Sequence, residues 1–415
     1  MGVWQALREM GTEINIVTGT SIGAINGAMV VQGEYEAAAA LWNTIETAQV
    51  IDIPVKETDM LKQKVLQTYQ SFAINFVKDG GTDTAPLKRT LQTVVNEDKI
   101  RSSVMDYGLV TIEMDTGIPH ELFKEDIPNG KMIDYIVASA SIYPAFQPHE
   151  IDKVRYLDGA YYDNLPVKMA LEKGATDIIA VDLGAFGVVK KEVLALADRA
   201  TYIRSYWNLG PTLVFDFSTM QHNMRLGYLD ALKAFHAYEG CAFTFIHGFC
   251  RETAGLFTGL LPLEALLEKG SGGFVLDQLF LAQLTKIYEE HGISEPGNEE
   301  IALVCAEAAG EIFGMDNEII YSFEIWQKQL QKRVSEAMLT VPEAKGPVNL
   351  LGMLAENAKM LSSRQLRAIA AAQLITETLE TPDYQPSAAS LTVLPEAFLA
   401  GTYLAAAKLD CPCKY

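Results

Sequence analysis

Cysteine is scarce in this chain, with five residues in 415, at positions 241, 250, 305, 411 and 413. An odd and scattered set excludes a disulfide framework, so reduced thiols are expected. The closest pair, Cys411 and Cys413, could hold a metal only with ligands from elsewhere. Long apolar runs are missing too. No window reaches the roughly 18 uninterrupted apolar residues of a membrane-crossing helix, and the two most apolar stretches, 178–189 and 241–267, are broken by Asp182 and by Arg251 and Glu252. Residues 1–10 contain no basic stretch followed by an apolar run, so no secretory signal is read there. A soluble, cytoplasmic protein is the expectation. Positive charge is also short: Lys plus Arg is 33 against 53 for Asp plus Glu, a net charge of −20. That sign disfavours phosphate backbones, and nucleic acid is excluded as a first-choice partner. It leaves room for a local apolar face that makes transient contact with a membrane surface.

What is present suits a large core. Hydrophobic residues make up 49% and charged residues 21%, far from the composition of disorder. The length predicts one large domain or two smaller ones. No fixed-period repeat and no low-complexity tract interrupts the chain. Up to about residue 183, short apolar runs alternate with helical periodicity, the βαβ rhythm of an α/β domain with a mostly parallel central sheet. Strands are predicted at 14–17, 109–114, 154–157 and 177–181. Helices are predicted at 2–10, 22–33, 34–47, 58–78, 84–97, 130–140 and 164–173. From about 190 onward strand signals nearly vanish, and helices are predicted at 223–237, 274–290, 299–313, 319–337, 347–360, 362–380 and 395–408. The shift divides the chain into 1–190, an α/β domain, and 191–415, a mainly α-helical C-terminal region.

One constellation carries chemistry. Gly19-Thr20-Ser21-Ile22-Gly23 lies between a predicted strand and a small-residue helix, the setting of a nucleophile elbow. Gly19 and Gly23 would let strand and helix approach closely, and the helix opening at Ile22 would place N–H groups and a positive dipole end beside the hydroxyl. A tight glycine turn with an idle serine fits the same five residues equally well. A serine alcohol needs a base. His222, His236, His247 and His291 follow in the helical half and His120 and His149 precede, all of them on unmarked segments. Asp158 closes an apolar strand in Tyr156-Leu157-Asp158-Gly159-Ala160, where Gly159 would turn the backbone beside a partly exposed carboxylate. Asn164 and Pro166 look like the cap and first turn of the next helix. An ordinary Asp-Gly loop remains the competing reading.

The segment 2–11, the elbow at 19–27 and Asp158-Gly159-Ala160 followed by Asp163-Asn164-Leu165-Pro166 together resemble patatin-like phospholipases of the bacterial type. The resemblance covers roughly 2–185 and, less closely, 216–235. It implies a three-layer α/β fold and a serine lipid acyl hydrolase acting through an acyl-enzyme. Ser21 would be nucleophile and Asp158 base, a dyad that needs no histidine, no metal and no organic cofactor, and the substrate would be a lipid ester. Ala138-Ser139-Ala140-Ser141 resembles a segment lining the family site, where the serines read as packing residues. Ala160 stands where the family usually has a second glycine. Such domains open with a strand and a Gly-rich loop that supplies oxyanion donors, and 1–190 lacks both, which leaves the Ile22 N–H as the expected donor and a gap in the sheet. Loss of one such donor costs about 10²–10³ in turnover. The expected form is therefore an N-terminally shortened one. A lipid- or membrane-binding protein without catalysis is the alternative, followed by a triad hydrolase using a late histidine. The sequence is silent on oligomeric state.

Overall fold

A computed structural model describes residues 1–45, 50, 61–258, 274–338, 363–380 and 395–409. The chain forms two compact units, Met1–Phe235 and His236–Tyr415. In the first, α1 (Gly2–Glu9) leads to β1 (Ile16–Thr20), α2 (Ile22–Gln32) and α3 (Tyr35–Thr44). Three helices follow, α4 (Leu61–Asp79), α5 (Ala85–Val94) and α6 (Glu97–Ser102). Then come β2 (Asp106–Glu113), β3 (Pro119–Phe123), α7 (Met132–Ser139), β4 (His149–Ile151) and β5 (Val154–Asp158). A 3₁₀ turn at Gly159–Tyr161 precedes α8 (Val167–Glu172), β6 (Asp177–Asp182), β7 (Arg199–Arg204) and α9 (Phe217–Ala234).

The division between units falls after α9 and not at 190, because α9 packs on α1. The contact is backbone to backbone. A Cβ on Gly2 would stand 1.8 Å from the Met224 carbonyl oxygen and 2.5 Å from the Tyr228 nitrogen. Glycine is also spent where α1 and α2 end: Gly11 and Gly33 adopt φ of 68° and 74°, which side chains beyond glycine resist. Under α2, Gly27 faces Val17 and Tyr107, and the buried Tyr107 hydroxyl donates to the Ala24 carbonyl at 2.8 Å.

Strand β2 organises the sheet. Its residues 106–110 pair in parallel with β1, from Ile16 on Asp106 to Thr20 on Val110. Residues 108–112 pair antiparallel with β3, and 111–113 pair antiparallel with β5, Thr111 facing Asp158. Since 108–110 engage β1 and β3 together, those two strands occupy opposite edges. Since 111 and 112 engage β3 and β5 together, β5 shares the edge of β1. The C-terminal ends of β1 and β5 therefore meet head to head along one edge of β2. The α/β class with parallel pairs β1–β2 and β6–β7 is present. The sheet is mixed, because β3 returns from β2 through a tight connection at Thr116 and Gly117 (φ 70°), and β5 pairs in turn with β4. The alternating rhythm announced none of α6, β3, β4 and β7, and β1 lies two residues later than predicted. β7, Arg-Ala-Thr-Tyr-Ile-Arg, is largely exposed, so its hydropathy is too weak to stand out.

The second unit contains β8 (Thr244–Phe245), α10 (Phe249–Leu256), α11 (Phe274–Glu290), α12 (Asn298–Phe313), β9 (Ile320–Tyr321), α13 (Phe323–Met338), α14 (Arg364–Glu380) and α15 (Pro395–Ala406). Its centre is aromatic. The buried Trp326 ring has Phe243, Phe245, Phe249 and Tyr321 edge-on at 5.1, 5.0, 6.0 and 5.0 Å, arrangements the ring quadrupoles favour. No helix among the described residues is long and apolar enough to cross a membrane. The helix predicted at 347–360, and Cys411 and Cys413, lie outside the described residues.

The α1–α9 contact is testable with Gly2→Ala. Helix propensity favours alanine by up to about 1 kcal/mol, whereas the new methyl would meet the α9 backbone. A lower melting temperature than that of the native protein is expected, and an unchanged or raised one would show that the two helices do not pack this closely.

Candidate active site

Ser21 sits at the junction of β1 and α2 with φ 59° and ψ −125°, in the left-handed half of backbone space that a β-substituted residue adopts only at a cost of about 1–3 kcal/mol. The turn is held from both sides. The Ser21 N–H donates to Ser139 Oγ at 3.0 Å, and the Ser21 carbonyl accepts from the N–H of Ala24 and Ile25 at 2.9 and 3.3 Å. Just before it, the Thr20 hydroxyl donates to the Asp163 carbonyl at 2.7 Å and the Thr18 hydroxyl to the Pro166 carbonyl at 2.9 Å. Ile22 is the first residue of α2, where the backbone N–H has no acceptor within the helix and the dipole is positive. Gly19 makes the turn sterically feasible, since a Cβ there would lie 2.3 Å from Gly23 backbone atoms.

The Ser21 hydroxyl donates to Asp158 Oδ2 at 2.6 Å, across 137 positions of sequence. The other carboxylate oxygen, Oδ1, accepts from the Ala160 N–H at 2.8 Å, and the Asp158 N–H donates to the Ser141 carbonyl at 3.0 Å. Asp158 is fully buried. Burial pushes its carboxyl up from the ordinary 3.8 to about 6, with the Ser21 hydroxyl and the Ala160 N–H pulling the other way. A carboxylate with that affinity for a proton, in line with an alcohol, is suited to accept the alcohol's proton near neutral pH.

Several details differ from the sequence reading. Asp158 is enclosed, where a partly exposed carboxylate was expected, because β5 ends inside the edge shared with β1. Gly23 serves no packing need: a Cβ there would meet open space, on the border of a cleft of about 900 Å³ lined by β1, β6 and the α1 residues Val3, Trp4 and Leu7. Gly159 is required by proximity and not by a turn in left-handed space, as a Cβ would stand 2.3 Å from the Val110 carbonyl oxygen. Asn164 does not cap α8, which starts from Pro166 without a side-chain cap; its N–H donates to the Val188 carbonyl and its amide to the Phe186 carbonyl. Ser141 packs as expected, its hydroxyl on the Val137 carbonyl at 2.7 Å. Ser139 does more than pack, and the only mark in the sequence was the run of small residues around it. Four of the six histidines lie beside other carboxylates: His149 Nε2 is 2.9 Å from Asp134, His120 3.5 Å from Glu113, His247 3.7 Å from Glu239 and His291 3.1 Å from Glu307.

Residues 1–171 match the family model described as patatin-like phospholipase. This patatin-like stretch lies wholly within the first unit. Over 187 residues the chain is 27% identical to patatin-like phospholipase domain-containing protein 6 of Homo sapiens and of Mus musculus, and 24% identical to neuropathy target esterase sws of Drosophila melanogaster. These alignments cover 45% of this chain and 12% of each relative. Among solved structures, the crystal structure of VipD from Legionella pneumophila aligns over 99% of this chain and 89% of its own at 13% identity, with a TM-score of 0.34, too slight a likeness to argue from. In the patatin-like domain, the matched stretch contains both Ser21 and Asp158.

The raised Asp158 carboxyl makes the patatin-like domain's stability depend on pH. The folded state holds this proton up to about pH 6, whereas the unfolded chain releases it near 3.8. The folded state thus binds more protons in that window, and ionisation erodes stability as pH rises through it. Asp158→Asn cannot ionise. Relative to the native protein, the variant should gain up to about 3 kcal/mol between pH 4 and pH 7 at 1.36 kcal/mol per unit, read from denaturant titrations at both pH values. A difference independent of pH would show that the carboxyl is not raised.

Proposed function

We propose that the patatin-like domain is a serine lipid acyl hydrolase in which Ser21 is the nucleophile and Asp158 the base. The observation that carries this reading is the 2.6 Å hydrogen bond from Ser21 Oγ to Asp158 Oδ2 at a strained strand-to-helix turn. In the forward step the Ser21 proton passes to Asp158 as Oγ bonds to the ester carbonyl carbon. The carbonyl oxygen becomes an oxyanion, with the Ile22 N–H at the α2 N-terminus as its donor. Collapse breaks the bond to the alkoxy group, which takes the proton from Asp158 and leaves as an alcohol. Water then attacks the acyl-enzyme, again giving a proton to Asp158, and the fatty acid departs as Ser21 recovers its hydrogen. Every proton is accounted for by one carboxyl group, so the scheme calls for no metal or organic cofactor.

An apolar surface beside the dyad supports a lipid substrate. Tyr161, three residues after Asp158, donates its hydroxyl to the Tyr143 carbonyl and packs edge-on against Phe186 at 5.8 Å. Tyr143 in turn meets Phe76 at 5.8 Å. Phe186 is 70% exposed and Phe76 41%, unusual for phenylalanine and suited to acyl chains or to a bilayer surface.

A fluorophosphonate should label Ser21 in the full chain and leave Ser21→Ala unmodified, as read by peptide mass. Asp158→Asn should lower kcat on a short soluble ester by about 10²–10⁴, and kcat/KM of the native protein should rise with pH through an apparent pKa near 6 as Asp158 loses its proton. A folded protein that neither reacts with the probe nor turns over ester would favour lipid binding without catalysis. A large loss on substitution of a single histidine, with Asp158→Asn active, would favour the triad.

Phe186→Ser separates surface contact from chemistry. Loss of one aromatic contact with lipid, about 1.5 kcal/mol, should reduce hydrolysis of long-chain phospholipid in vesicles about tenfold more than hydrolysis of a short soluble ester. Equal effects on both substrates would mean that this surface does not meet the lipid.

A further inference from the structure

The second unit brings together three side chains of different chemistry. Cys241 lies in the loop before β8, His291 directly after α11, and Glu307 within α12, and one ligand atom from each falls within 4.8 Å of the others. Glu307 is completely buried. Its Oε1 accepts from the N–H groups of Cys241 and Phe243 at 2.8 and 3.0 Å. Its Oε2 is buried and accepts no hydrogen bond among the described residues, although His291 Nε2 lies 3.1 Å away. At that distance the two atoms form an ion pair, while the geometry of a hydrogen-bond donor and acceptor is not met. His291 Nδ1 lies 2.8 Å from the Ile287 carbonyl, which can only accept, so Nδ1 carries a hydrogen and Nε2 is the ring atom turned toward Glu307, where a metal ion would take the place of its proton.

We propose that Cys241 Sγ, His291 Nε2 and Glu307 Oε2 are three ligands of a divalent transition-metal ion of the zinc class. A tetrahedral ion with bonds of 2.0–2.3 Å spaces its ligand atoms about 3.4–3.6 Å apart, which is compatible with three atoms that all lie within 4.8 Å of one another, two of them 3.1 Å apart. The set of one sulfur, one imidazole nitrogen and one carboxylate oxygen suits zinc and disfavours magnesium and calcium, which take oxygen. A backbone carbonyl on the far imidazole nitrogen and two backbone N–H groups on the far carboxylate oxygen are the outer partners that fix a ligand's orientation. Charge favours the arrangement as well: on binding, the Cys241 thiol releases its proton to solvent, and a dication with one thiolate and one carboxylate is neutral overall, so the buried carboxylate is compensated. The ion would join the β8 loop, the end of α11 and α12, and its fourth position would be left to water.

The test uses the full chain, stripped with a chelator, equilibrated with Zn²⁺ and desalted. About one zinc per chain should be retained, with affinity weakened at least about tenfold by Cys241→Ser and by Glu307→Gln. The double variant Cys411→Ser/Cys413→Ser should keep it, which separates this site from the tail cysteines. Co²⁺ should give a thiolate charge-transfer absorption that Cys241→Ser removes. Should the variants fail to fold, the native chain still decides: Zn²⁺ should protect Cys241 from alkylation, read by peptide mass. Retention of no zinc by the folded native chain, retention unaffected by Cys241→Ser, or undiminished alkylation of Cys241 would each leave His291 and Glu307 as an ordinary buried ion pair and overturn the proposal.

Discussion

The candidate site depends on one edge of one strand. β2 is long enough to carry β1 along its first half and β5 along its second, so that Thr20 pairs with Val110 and Asp158 with the adjacent Thr111. β1 runs parallel to β2 and β5 antiparallel, and their ends converge from opposite directions. The residue after Thr20 then has nowhere to go but off the sheet, which places Ser21 beside Asp158. The two glycines that permit this, Gly19 and Gly159, are needed because backbone passes within contact distance of backbone at both places.

Convergence of two strand ends has an electrostatic consequence. An acidic side chain at the meeting point is surrounded by protein on every side, and its desolvation raises its affinity for a proton. The backbone of Ser21 is strained for a related reason: the chain must turn within a single residue from an extended strand into a helix whose first N–H groups stay beside the hydroxyl. Ser139, at the end of α7, holds that conformation through the Ser21 N–H. Strain and desolvation are both costs to folding, and both are placed where an alcohol would have to be activated.

The second unit shows the same economy with different parts. Glu307 is buried within an alanine-rich helix, where a carboxylate is costly, and two backbone N–H groups and His291 surround it. The aromatic cluster around Trp326 begins next to this cluster, since Phe243 both donates its N–H to Glu307 and stacks edge-on against Trp326. Polar and apolar packing therefore share one residue.

Much of this was legible in the residues themselves. Glycine two before Ser21, a small-residue helix directly after it, and Asp-Gly at the end of an apolar run are local signals, because strand, turn and helix preferences are set by neighbours in sequence. The same locality explains why α11 and most of the long helices stand where their periodicity puts them, and why the short strands β3, β4 and β7, with little hydrophobic alternation, went unannounced. Only the folded chain decided the rest. That Ser21 and Asp158 share a proton across 137 positions, that Asp158 is enclosed, that Ser139 braces the turn, and that Cys241, His291 and Glu307 meet at one point all follow from strand order and helix packing. Those are set by which apolar surfaces are buried against each other over long separations, and no local pattern encodes them.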